Sequence, residues 1–198
     1  MGAPRNRARI VAGSATAVLV VVAAIAVWRH QTGAGGDDPA TRQAVMARIE
    51  GALEAAGTHS ARCAEQLLAQ TSDAPARPLD DLETCGETAR LLAEEGYTAL
   101  DEAAGMDARG GDGEGDGIIG SPARAAYLDA SGALFSVYEI QGDDFDVIFD
   151  TLHRARLAQT PLAQLNADVS RSLSNSAPDV AAAQSQQADA RETYRRGG

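Results

Sequence analysis

Apolar residues in this chain recur at intervals of three and four, the repeat that lines up side chains along one face of an α-helix. One stripe runs through Val45, Ile49, Leu53, Ala56, Ser60, Cys63 and Leu67, and a second through Leu79, Leu82, Cys85, Ala89, Leu92 and Leu100. Between them Thr71 to Arg77 reads as a turn, and Pro78 suits the first position of a new helix, where a missing N–H costs nothing. Asp38 followed by Pro39 predicts the start of the first helix in the same way, with Gly57 expected to bend or divide it near Thr58. Residues 105–121 (GMDARGGDGEGDGIIGS) are too rich in glycine to continue a helix and mark a loop between two halves.

The second half opens on Ser121 and Pro122, again a cap followed by proline. Tyr127, Leu134 and Val137 or Tyr138 then recur at helical spacing, which predicts a helix over 122–140. Gly132 disfavours that helix by about 1 kcal/mol relative to alanine, so a turn at 129–132 within a β-hairpin near 124–140 is the alternative. Asp143 and Asp144 open a further helix with Phe145, Ile148, Phe149, Leu152 and Arg156 on one face. Thr160 and Pro161 restart the pattern with Leu162, Leu165, Val169 and Leu173, and after Asn175 the dominance of Ala, Gln, Ser, Asp and Arg predicts a frayed or flexible tail over 175–198. The expected fold is an all-α bundle of four or five amphipathic helices, made of a hairpin over 39–104 and a helical half over 122–174, with an α+β arrangement as the alternative.

Ahead of this body lies Ile10 to Trp28, nineteen residues without a charge. As a helix it would measure roughly 28 Å, close to the ~30 Å hydrocarbon thickness of a bilayer. Arg5, Arg7 and Arg9 in the stub 1–9 precede it and Arg29 follows, so the heavier positive cluster is expected to stay cytoplasmic while a tether over 29–38 leads to an exported, extracytoplasmic body. The rival is a cleaved export signal, since Ala24-Ile25-Ala26 fits the small-x-small cleavage pattern; cleavage after Ala26 would release the body as a secreted protein.

Export changes the meaning of the two cysteines, Cys63 and Cys85, because disulfides persist in oxidising compartments. With the first helix ending near Gln70 and the second starting at Pro78, each cysteine lies seven residues, about 10 Å, from the turn. Both belong to the apolar stripe of their own helix, so an antiparallel hairpin brings the sulfurs face to face. The alternative is a pair of buried free thiols acting as small hydrophobes.

Composition narrows the function. The 198 residues leave room for one domain with tails, and aromatic residues are only 4%, so the core must be built largely from small side chains. Residues 37–198 hold 13 arginines, no lysine and all 28 carboxylates, a net charge of −15. A body of that sign repels phosphate backbones, which excludes nucleic acid as an expected partner. Arginine without lysine, beside abundant alanine, also matches the coding bias of GC-rich bacterial genomes.

Candidate chemistry is sparse. Asp112, Glu114 and Asp116 alternate with glycines and precede Ile119, the opening of a calcium-binding loop, but Ala123 stands where the bidentate glutamate belongs. Ca²⁺ at this loop is therefore an alternative to a solvated acidic linker. Asp150-x-x-His153, with Asp146 one turn earlier, has the spacing of carboxylate and imidazole in bundle metal sites, yet no second helix supplies the matching pair. The chain contains no Gly-x-Ser-x-Gly, no His-Glu-x-x-His and no redox Cys-x-x-Cys. The expected function is that of a non-enzymatic, single-span protein of the inner membrane. Its periplasmic helical domain would bind another envelope protein, or a second copy of itself, as a structural subunit of an envelope assembly. Phe145, Phe149, Tyr138 and Leu165 are the side chains expected to make that contact if they are not core.

Overall fold

A computed structural model describes residues 39–72, 78–110 and 121–197. These form four long helices: α1 (Pro39–Ala69), α2 (Cys85–Gly110), α3 (Pro122–Leu157) and α4 (Leu162–Gly197), with a single 3₁₀ turn over Leu79–Leu82 before α2. Cross-helix contacts fix their directions. Arg48 meets Glu102 and Cys63 meets Cys85, so α1 and α2 are antiparallel; Arg90 meets Asp143, and Tyr138 meets Gln184, so α2, α3 and α4 alternate likewise. Helices α1 and α3 therefore run parallel, and they touch directly: Ser60 donates to Gln141, and the Tyr138 ring covers Gly57. Helix α3 is the centre of the bundle, packed against all three others.

The stripes predict the interior well. All seven residues of the first stripe, from Val45 to Leu67, are buried, as are Leu79, Leu82, Cys85 and Ala89 of the second. Ser121 caps α3 by accepting the Arg124 N–H at 3.2 Å, and Pro122 follows it. At its other end α3 closes with two backbone bonds, Thr160 N–H to the Ala155 carbonyl and Gln159 N–H to the Arg156 carbonyl, around a left-handed Gln159 (φ 54°). Pro161 then prevents continuation and frees the chain to reverse into α4.

Four expectations need correction. The helix expected over 122–140 forms and the alternative hairpin does not, but the helix does not end there: α3 runs unbroken from 122 to 157, through both Gly132 and Gly142. Gly142 is not a helix end but the point of closest approach to α2, where a Cβ would lie 2.9 Å from the Gly86 carbonyl oxygen. Helix α1 likewise continues through Gly57, whose missing side chain makes room for the Tyr138 hydroxyl. The second helix begins at Cys85 and not at Pro78, because the 3₁₀ turn intervenes.

The fourth correction concerns the tail. Residues 175–197 continue α4 despite Pro178, which removes one intrahelical hydrogen bond. Tertiary contacts hold it: Tyr194 stacks on Tyr127 with centroids 5.6 Å apart, Gln184 donates to the Tyr138 hydroxyl at 3.0 Å, Ala183 is buried, and Arg191 and Arg195 both reach Glu50. The arginine pairs are about one-third exposed or more and contribute little. Aromatic stacking and the burial of small residues carry the helix.

No helix among the described residues is long and apolar enough to cross a membrane. The stretch 10–28 expected to do so lies outside them, as do His30, Asp38 and the acidic loop with Asp112, Glu114 and Asp116.

The core has two parts along the bundle. One holds Val45, Ile49, Tyr127, Leu134, Phe135 and Tyr138 over an alanine stripe on α2 (Ala93, Ala99, Ala103); the other surrounds the cysteines with Leu67, Leu79, Leu82, Phe145, Ile148 and Leu152. Tyr127 is wholly buried, and its hydroxyl has no hydrogen-bond partner of good geometry. Burial pushes this phenol above its ordinary value near 10, and the Glu50 carboxylate adds to the rise. The folded protein thus holds the Tyr127 proton where the unfolded chain gives it up. Stability contributed by the neutral phenol is complete below pH 10 and declines as pH climbs from there through the folded-state value. Urea titrations at pH 9 to 11 should show this decline, with a shallower slope for Tyr127→Phe; equal slopes for the two proteins would refute the assignment.

Candidate functional site

Helix α1 carries a histidine one turn before its cysteine, and the i, i+4 relation puts His59 and Cys63 on the same face. The antiparallel hairpin brings Cys85, the first residue of α2, against them. Cys63 and Cys85 are joined by a disulfide with Cα atoms 5.9 Å apart, the pairing expected, although Cys85 opens α2 instead of lying seven residues inside it. Both are buried, at 2% and 6% exposure, while His59 is half-buried. Its Nε2 lies 2.9 Å from the Cys85 carbonyl oxygen, to which the protonated nitrogen donates, and 3.4 Å from Cys63 Sγ. The three donor atoms all fall within 4.8 Å of one another. On its outer side His59 borders an open recess of about 370 Å³, lined also by Gly51, Glu54, Thr58 and Arg62 of α1.

The spacing of the stripes pairs the cysteines but gives no reason to join His59 to them. The signal was present as His-x-x-x-Cys on one helix face. Only the hairpin shows that Cys85 completes the group.

The side chains expected to meet a partner are placed differently. Phe145 is fully buried, Tyr138 and Leu165 are each 3% exposed, and Phe149 is partly buried and stacked on His153 at 6.4 Å. Their size made them stand out among alanines, and for the same reason they fill the core, because a large side chain removes more apolar area from water than an alanine does. The large apolar residues left more than half exposed are others: Leu91 on α2 and Ile140, Val147 and Leu157 on α3. Ile140 and Val147 are two turns apart on one face, roughly 10 Å.

Asp146, Asp150 and His153 do not form a metal group. Asp146 instead binds Arg90 of α2 at 2.7 Å beside Asp143 at 2.9 Å, and His153 is exposed. Buried polar side chains pair across helices, Gln70 and Thr71 with the exposed Arg156 and Asn166. Gln141 accepts from Ser60, Gln70 accepts from Arg156, and Thr71 accepts from Asn166 at 2.8 Å, so the last turn of α1 is tied to the end of α3 and the start of α4.

No protein-family model, curated protein or solved structure matches this chain.

Proposed function

We propose that this chain is a membrane-tethered, extracytoplasmic helical bundle that acts as a non-enzymatic binding subunit of a cell-envelope assembly. The observation that carries the reading is the Cys63–Cys85 disulfide behind an uncharged stretch of nineteen residues. The stretch supports export by its length and flanking arginines, and the cysteine pair supports it by a separation that allows a disulfide wherever the compartment is oxidising. The interior polar groups support a structural role, since they join helix to helix.

The strip formed by Ile140 and Val147, flanked by Glu139 and Asp144, is the surface offered to the partner. A second copy is disfavoured there, because association would bring together two bodies of −15. The partner is then a different protein with an apolar patch bordered by basic groups.

A photo-cross-linking residue at position 147 tests this in intact cells. The expected result is a discrete adduct with a heterologous protein that falls at least tenfold in Ile140→Asp, while the melting temperature stays within experimental error. An adduct only with itself, no adduct, or a C-terminal reporter active solely in the cytoplasm would each remove the proposal. The mature N-terminus decides between tethered and released forms: Met1 or Gly2 means tethered, Val27 means released.

A further inference from the structure

The group at the head of the α1–α2 hairpin has a second possible use for its sulfurs. Two thiols and an imidazole are the donors that borderline-soft d¹⁰ ions prefer, and hard ions such as Ca²⁺ and Mg²⁺ avoid. Tetrahedral binding with metal–sulfur bonds of about 2.3 Å and a metal–nitrogen bond of about 2.0 Å needs sulfur and nitrogen roughly 3.5 Å apart and the two sulfurs roughly 3.8 Å apart. His59 Nε2 already lies 3.4 Å from Cys63 Sγ, and Cα atoms 5.9 Å apart leave the cysteines within reach of that separation.

We propose that the reduced hairpin binds a zinc-class divalent ion through His59 Nε2, Cys63 Sγ and Cys85 Sγ, so that the cysteine pair has two exclusive states, disulfide or metal thiolate. The change begins with a dithiol or phosphine reductant, which supplies two electrons while water or the dithiol supplies two protons. The sulfur–sulfur bond breaks, two protein thiols form, and the reductant leaves as its own disulfide or phosphine oxide. Metal binding then releases both thiol protons to solvent, while His59 gives up its hydrogen bond to the Cys85 carbonyl, shifts its proton from Nε2 to Nδ1 and binds as neutral imidazole through Nε2. Two thiolates offset the double positive charge, so the buried group is neutral as a whole, which a site this enclosed requires.

Local structure favours the thiolates. Cys85 occupies the first position of α2, where unpaired backbone N–H groups stabilise negative charge. Helix α1 holds His59 beside Cys63 regardless of redox state, because both sit on one continuous helix. Three side-chain donors leave the fourth tetrahedral position to a water, which enters beside the half-buried His59.

The test uses the full chain in detergent, reduced with a phosphine under anaerobic conditions and titrated with Co²⁺ as the optical stand-in for Zn²⁺. The expected result is a sulfur-to-cobalt charge-transfer band that saturates at one equivalent and is displaced by Zn²⁺, with no such band from the oxidised protein. His59→Gln keeps a donor for the Cys85 carbonyl and so preserves the fold, but it should weaken binding at least tenfold. Melting curves provide a second readout: Zn²⁺ should raise the transition temperature of the reduced wild type and leave that of reduced His59→Gln unchanged. Absence of the band in reduced protein that remains helical would overturn the proposal, as would equal Co²⁺ affinity in His59→Gln. A reduced chain that loses helicity and does not regain it with Zn²⁺ would do so too.

Discussion

Replacing Cys63 and Cys85 together by alanine should destabilise the bundle by about 3 kcal/mol. The bond closes a 22-residue separation, and the chain-entropy model assigns roughly 3 kcal/mol to a loop of that length. Two further effects act at the same place. Both sulfurs are buried among Leu67, Leu79, Leu82 and Phe145, so their removal leaves a void, and the described part of the connection they brace holds a short 3₁₀ turn. Alanine is the right probe because serine would add a buried hydroxyl to the cost. For a domain of this size about 1 kcal/mol moves the melting temperature by about 2–4 °C, so a fall of roughly 6–12 °C is expected. Urea titration of wild type with and without reductant, beside the double variant, checks it. A loss below about 1 kcal/mol would mean that the pair acts merely as two small hydrophobes.

The second large effect comes from glycine. In an exposed helix Gly→Ala stabilises by about 1 kcal/mol, and Gly51, with open space around its Cβ position, should follow that rule. Gly86 and Gly96 should reverse it. A Cβ at Gly96 overlaps the ring of Phe135, which is fully buried and has nowhere to move, and a Cβ at Gly86 overlaps the Gly142 backbone carbonyl as well as the Asp146 carboxylate. Asp146 is half-buried and can swing aside; the carbonyl can retreat only if α2 and α3 part. Overpacking of this kind costs about 1–3 kcal/mol or more, which outweighs the propensity gain, so each variant should lose about 2 kcal/mol. Thermal melts of the three alanine variants supply the comparison. Stabilisation by all three would show that helix propensity, and not interhelical contact, governs these positions.

These two results bear on how a chain with few large side chains can fold. Its α2 presents Ala89, Ala93, Gly96, Ala99 and Ala103 to the interior, so the helix buries little area per residue. It compensates by approaching closely: Gly86 against Gly142 and Gly96 beneath Phe135 allow backbones and rings into contact. The disulfide then ties the end of α2 to α1 at the second part of the core. The sulfur group is in this view a structural staple first, and its position beside His59 is what gives it further chemistry.

Much of the architecture was legible from spacing alone. Helix hydrogen bonds connect residues four apart, so the apolar intervals, the starts at Pro39, Pro122 and after Pro161, and the place of both cysteines on apolar stripes are local quantities that a linear sequence carries. What failed to be legible depended on a neighbour from elsewhere in the chain. Gly142 and Gly57 look like breaks until Gly86 and Tyr138 are placed against them; residues 175–197 look unstructured until Tyr127 offers Tyr194 a ring to stack on. Phe145 and Tyr138 look like contact residues until three helices close over them. His59 acquires meaning only when Cys85, 26 residues away, arrives at its side. The sequence by itself determined where helices form and which stripe of each is apolar, because those follow from short-range geometry. Only the tertiary structure decided which small residues are gaps and which are contacts, because a missing side chain has no effect of its own until another element fills the space.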